Sequence, residues 1–198
     1  MPRLFYPFLV YRSFFLPFFV VSLIVVPCWL LFRLQRVRTS GQRFSLSHEI
    51  LLVAGVVYIS GLASATLAPN HGARAETAVG VELHPNLASL TCSSPDLPGS
   101  DARFFCLYNA KGNVLLFVPL GILLPLAWRR LRFWSGVLIA TAVSVSIELL
   151  QYFSRAWGSY RLADINDVIL NVFGASLGLT LVFLLRLLIG ARSKVASD

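Results

Sequence analysis

Seven polar residues in the C-terminal half of an apolar chain, Asn113, Glu148, Gln151, Arg161, Asp164, Asp167 and Asn171, have the types and spacing to form one site. Ser144, Glu148 and Gln151 recur at i, i+4, i+7 within "SVSIELLQYF", so a helix there puts them on one stripe. Asp164, Asp167 and Asn171 recur at i, i+3, i+7 in "RLADINDVILN", with Arg161 just before them. Asn113 opens another apolar run, "NVLLFVPLGILLPLAW". Carboxylates, amides and a guanidinium brought together offer acid–base chemistry, a hard-cation site of oxygens, or a pocket that hydrogen-bonds a ligand. Each residue also has a plainer reading. Asp164, Asp167, Asn113 and Asn171 sit where a helix N-terminus wants a cap or a negative charge, and Glu148 lies near enough to a helix end to be wetted at a membrane surface.

The elements that must hold these residues are apolar. The chain has 198 residues, 57% hydrophobic and 13% charged, with a mean hydropathy of +0.73. Ordinary soluble domains carry about 25% charged residues. An all-α, polytopic transmembrane helical bundle with the bilayer as partner is expected. Five runs approach the ~20 residues that cross a hydrocarbon core: 13–32, about 50–67, 113–128, 133–153 and about 168–189. The first lacks the small-residue cleavage site of a signal peptide and reads as a retained helix. Residues 69–112 read as a loop. Glu148 inside the fourth run would cost roughly 2.5–3.5 kcal/mol at a bilayer centre, so a partner is expected, with Arg161 the candidate.

Charge sets the orientation. Arg33, Arg36, Arg38 and Arg43, then Arg129, Arg130 and Arg132, then Arg192 and Lys194 fall on one side of five spans, which the positive-inside pattern places in the cytoplasm. The N-terminus and the 69–112 loop are then outside, the C-terminus is cytoplasmic, and the seven polar residues share the outer end. The net charge of +8 belongs to these short flanking runs, and no nucleic acid is expected as a partner. Three units follow: 1–48, a helix and an arginine-rich loop; 49–190, the main membrane domain; and 191–198, a short tail. Cys92 and Cys106 both fall in the outer loop, where a disulfide is chemically permitted. His71 and His84 nearby lack a zinc spacing, so no metal and no other cofactor is expected. Gly174 and Gly178 form a Gly-x-x-x-Gly face for close helix packing, inside the chain or to a second copy. Gly121, between Pro119 and Pro125, marks a kink or an opening in the third span.

Three blocks, "NVLLFVPLGILLPL" (113–126), "SIELLQYF" (146–153) and "RLADINDVILNVFGASLG" (161–178), resemble the signatures of the VanZ-like family of membrane proteins in residues, order and spacing. The matching positions are Asn113, Phe117, Pro119, Gly121, Glu148, Gln151, Arg161, Asp164, Asp167, Asn171, Gly174 and Gly178. "TLAP" at 66–69 is similar to a further family stretch, whereas "VELHPN" at 81–86 departs from it. The resemblance covers about 50–190, with the first span as an addition. It implies a bacterial cell (plasma) membrane and a link to teicoplanin resistance. The expected role is binding or shielding, through an outward-facing pocket, of an amphipathic envelope ligand such as a glycopeptide or a lipid-linked cell-wall precursor. The alternatives are a membrane enzyme acting on a lipid-linked phosphate and a scaffold or transporter.

Overall fold

The computed structural model describes residues 12–40, 45–67, 81–93, 99–154 and 163–195. They are nearly all helical: α1 (Arg12–Ser40), α2 (Leu46–Leu67), β1 (Val81–Glu82), α3 (Leu87–Leu90), α4 (Gly99–Ala127), α5 (Phe133–Phe153), β2 (Ala163–Asp164) and α6 (Ile165–Val195). Five of the helices are long and apolar enough to cross a membrane. Lipid-facing backbone must bond within its own element, which a continuous helix achieves. The fold class is therefore all-α, with five candidate spans.

The described residues form two compact units, and α1 and α2 belong to the first. Arg33 on α1 grips Glu49 on α2: its Nε donates to both carboxylate oxygens (3.2 and 3.0 Å) and its Nη2 donates to Oε1 at 2.9 Å. Both side chains are mostly covered, at 20% and 13% exposed. A carboxylate and a guanidinium at membrane-span ends lose less solvation when they neutralise each other. The α1 arginines 33, 36 and 38, read as loop, stand on the helix itself, because the helix continues to Ser40 past its apolar stretch.

The second unit runs from β1 to α6, apart from the last residue of α5. Its core is the α4–α6 pair. A Cβ on Gly121 would strike the Ala175 carbonyl, one on Gly174 the Val114 carbonyl, and one on Gly178 the Val118 carbonyl. Only glycine lets the two backbones come this close. Phe117, Ala175 and Leu179 fill the seam and are fully buried. The Gly174-x-x-x-Gly178 face is thus used within the chain. Gly121 is a contact point in an unbroken helix and opens nothing. Pro119 and Pro125 each remove one backbone donor. Arg186 of α6 donates from Nη2 to the Pro125 carbonyl, one of the last carbonyls of α4, which the end of the helix leaves without an intrahelical donor.

The stretch 69–112, expected to be loop throughout, is helical from Gly99 onward. Its first turns are polar and extend past the apolar span, Cys106–Ala127, so a hydropathy pattern does not register them. Upstream, α3 ends in a Schellman-type turn. Ser93 N–H bonds the Ala88 carbonyl (2.9 Å) and Cys92 takes the positive-φ position (φ 54°) that glycine usually fills. Cys92 is bonded to Cys106, with Cα atoms 5.7 Å apart, which ties this turn to α4. β1 pairs in parallel with β2, Val81 with Ala163 and Glu82 with Asp164. α6 continues to Val195, through most of the stretch read as a tail.

Candidate functional site

α5 carries its polar stripe on its packed face. Ser144 is fully buried, and Glu148 and Gln151 are each 8% exposed, on the same side as Gly136 and Ala140. The i, i+4, i+7 spacing is what turns all three inward. Glu148 Oε2 accepts the backbone N–H of Asp164 at 3.0 Å. That N–H lies at the start of α6, where the helix's unpaired N–H groups carry roughly half a positive charge. A buried carboxylate is best tolerated where fixed donors replace water. Arg161, the expected partner, lies outside the described residues.

Asp164 caps α6. Its Oδ1 accepts the Asn166 N–H at 2.8 Å, the side-chain-to-N2 bond of a helix N-cap. The capping reading therefore holds for Asp164, while its main chain serves Glu148. Asp167, one turn in, accepts from two amides of α4: Asn113 Nδ2, and Asn109 Nδ2 at 3.3 Å. Asn113 stands well inside α4 and does not start it, so it is no cap and is free to reach across to α6. Asn171, about one turn beyond Asp167, donates Nδ2 to Ser144 Oγ at 3.0 Å. Its Oδ1 is buried with no partner among the described residues. An amide cannot take a proton, so Asn171 does not activate Ser144 as a nucleophile. No three His, Cys, Asp or Glu side chains come together as a metal site among the described residues.

Five of the seven expected site residues, Asn113, Glu148, Asp164, Asp167 and Asn171, are thus hydrogen-bonded at one end of the second unit, from α4, α5, β2 and α6, and Gln151 is buried on the same stripe of α5 as Glu148. Sequence reasoning missed three more. Asn109 precedes Asn113 by one helical turn, a period visible once α4 is extended. Asn166, which the i, i+3, i+7 spacing of Asp164, Asp167 and Asn171 leaves off their stripe, is buried and accepts the Asn86 N–H at 3.0 Å. Asn86 in turn caps α3 through the Ala88 N–H at 2.9 Å.

Beside this network is a cavity of about 240 Å³. Val81, Glu82 and Leu83 form one wall, Val145, Leu149 and Tyr152 of α5 another, and Ile165 and Val168 of α6 a third. Glu148 and Asp164 edge it. Its exposed surface is almost wholly apolar, so hydrocarbon suits it and water does not. The β1–β2 pairing brings the first wall across from a position some 80 residues distant in sequence.

The VanZ/LLP1 family model matches residues 19–186. The match begins inside α1, so the first span is part of the matched region and not an addition before it. No curated protein and no solved structure matches the chain.

Proposed function

Because the chain belongs to the VanZ/LLP1 family and is a VanZ-like membrane protein, we propose that its cavity beside Glu148 is an outward-facing pocket. It binds or shields an amphipathic molecule of the bacterial envelope. The carrying observation is a nearly all-apolar cavity that abuts the buried polar network around Glu148 and Asp164. An apolar tail lies in the cavity, and the polar head stays outside it. The volume is below the roughly 300–1,000 Å³ of pockets that swallow drug-sized ligands. A lipid tail therefore enters, while the bulk of a glycopeptide or of a lipid-linked precursor stays outside. The arginines at 33–38 and 129–132 support an orientation with those segments in the cytoplasm and the pocket outside. A role in teicoplanin resistance follows from the family name through this pocket.

The test is Glu148→Gln in a host lacking the native gene, with membrane abundance and teicoplanin susceptibility read in the same cells. The proposal expects normal abundance with raised susceptibility. Lost abundance would make Glu148 a packing element only. Normal abundance with unchanged susceptibility would separate the pocket from the antibiotic.

A further inference from the structure

The end of the second unit away from Glu148 has a different chemistry. The α4–α5 connection reads WRRLRFW from Trp128 to Trp134. Arg129, Arg130 and Arg132 are exposed, and the two tryptophans are 57% and 74% exposed. No acidic residue occurs at 114–147 or 168–190, so the helices on either side supply no counter-charge. Among the described residues the three guanidinium groups have no ion-pair partner.

A fourth arginine is already engaged. Arg186 bonds the Pro125 carbonyl and, at 3.4 Å, the Arg129 carbonyl. It thereby satisfies carbonyls at the C-terminus of α4, the negative end of that helix's dipole. Its guanidinium lies 5.6 Å from the centre of the Phe183 ring. Phe183 meets Phe133 edge-on at 5.9 Å, and Phe133 meets Trp134 at 5.4 Å. The turn is therefore pinned by rings while its own three charges have no acidic partner among the described residues. Tryptophans favour the headgroup level of a bilayer, and guanidinium forks match phosphate oxygens.

We propose that the Trp128–Trp134 turn is a binding site for the phosphate of an anionic phospholipid headgroup. This site is separate from the pocket at Glu148 and does not depend on it. Orientation alone requires only that positive charge flank the span; a site requires that a particular class of lipid be enriched at the two tryptophans.

The full chain is purified with Trp29→Phe and Trp157→Phe, so that emission reports Trp128 and Trp134, and is reconstituted in phosphatidylcholine nanodiscs. Quenching by brominated phosphatidylglycerol is compared with quenching by brominated phosphatidylcholine at the same small mole fraction. The expected result is preferential quenching by the anionic lipid, with an enrichment of about fivefold per guanidinium at low salt, weakening as salt rises. Arg129→Gln, Arg130→Gln and Arg132→Gln together should abolish the preference. Equal quenching by the two lipids in the otherwise unaltered chain overturns the proposal, whether or not the triple variant folds. Displacement of the brominated lipid by inorganic phosphate at matched ionic strength also overturns it, since the site would then take soluble phosphate.

Discussion

Replacing Gly178 with alanine tests the α4–α6 seam directly. The new methyl would lie within contact distance of the Val118 carbonyl and 3.0 Å from the Ile122 nitrogen. Both are main-chain atoms, so no rotamer change relieves the clash. The helices must separate by on the order of 1 Å, and a gap of that size forfeits a quarter to a half of each dispersion well along the seam. Phe117, Leu120, Ala175 and Leu179 are all packed there. Overpacking usually costs about 1–3 kcal/mol, and the rigidity of the struck atoms puts Gly178→Ala at the upper end, about 2–3 kcal/mol. Gly174→Ala should match it, and the double variant should cost less than the sum, because one separation serves both methyls. Gly112 lies on the same helix as Gly121 with nothing within 4 Å of an added Cβ. Gly112→Ala should be neutral or stabilising by up to about 1 kcal/mol. The assay is equilibrium unfolding of the purified protein by SDS titration in mixed micelles, followed by circular dichroism. Equal midpoints for Gly178→Ala and Gly112→Ala would refute the close approach of the two helices.

Other consequences are open to similar tests. Asp167→Ala strands the Asn113 amide and should destabilise by about 1–3 kcal/mol; pairing it with Asn113→Ala in a double-mutant cycle should show a loss smaller than the sum. Arg33→Ala and Glu49→Ala should show a coupling of about 1 kcal/mol in the same unfolding assay, and strict additivity would mean the pair contributes nothing. Of the three cysteines only Cys28 is a free thiol; one maleimide adduct is expected on the denatured, unreduced chain and three after reduction. Opening the loop between Cys92 and Cys106, 14 positions apart, should cost about 3 kcal/mol on the chain-entropy model, read as an earlier SDS midpoint for Cys92→Ser.

What the sequence discloses follows from which forces are local. The span Phe133–Phe153 is legible to the residue, since its apolar run ends where charge begins. The inward stripe Ser144, Glu148, Gln151 is legible because helical period alone decides it. Asn113 was misplaced at a helix start, because hydropathy marks where a helix enters lipid and says nothing of its polar overhang. The cap at Asp164 and the charge on Glu148 could be guessed separately, but their joining through a backbone N–H could not, since no side-chain pattern encodes a main-chain donor. The pairing of Val81 with Ala163 is hidden for a different reason. Two residues per strand are too few to show a period, and the partners are far apart in sequence. Gly121 looked like a hinge between two prolines; its contact with Ala175 depends on a helix not yet reached in the chain.

That order of appearance bears on how the protein is made. α4 emerges from the ribosome before α5, and its seam partner α6 comes last. At about 5–20 residues per second, the fifty or so residues between Ala127 and Gly178 take several seconds to synthesise. Throughout that interval the face of α4 around Gly121 has no helix to meet. Insertion machinery or lipid must cover it, and a nascent chain arrested before α6 would be left with an unfilled groove that quality control could recognise.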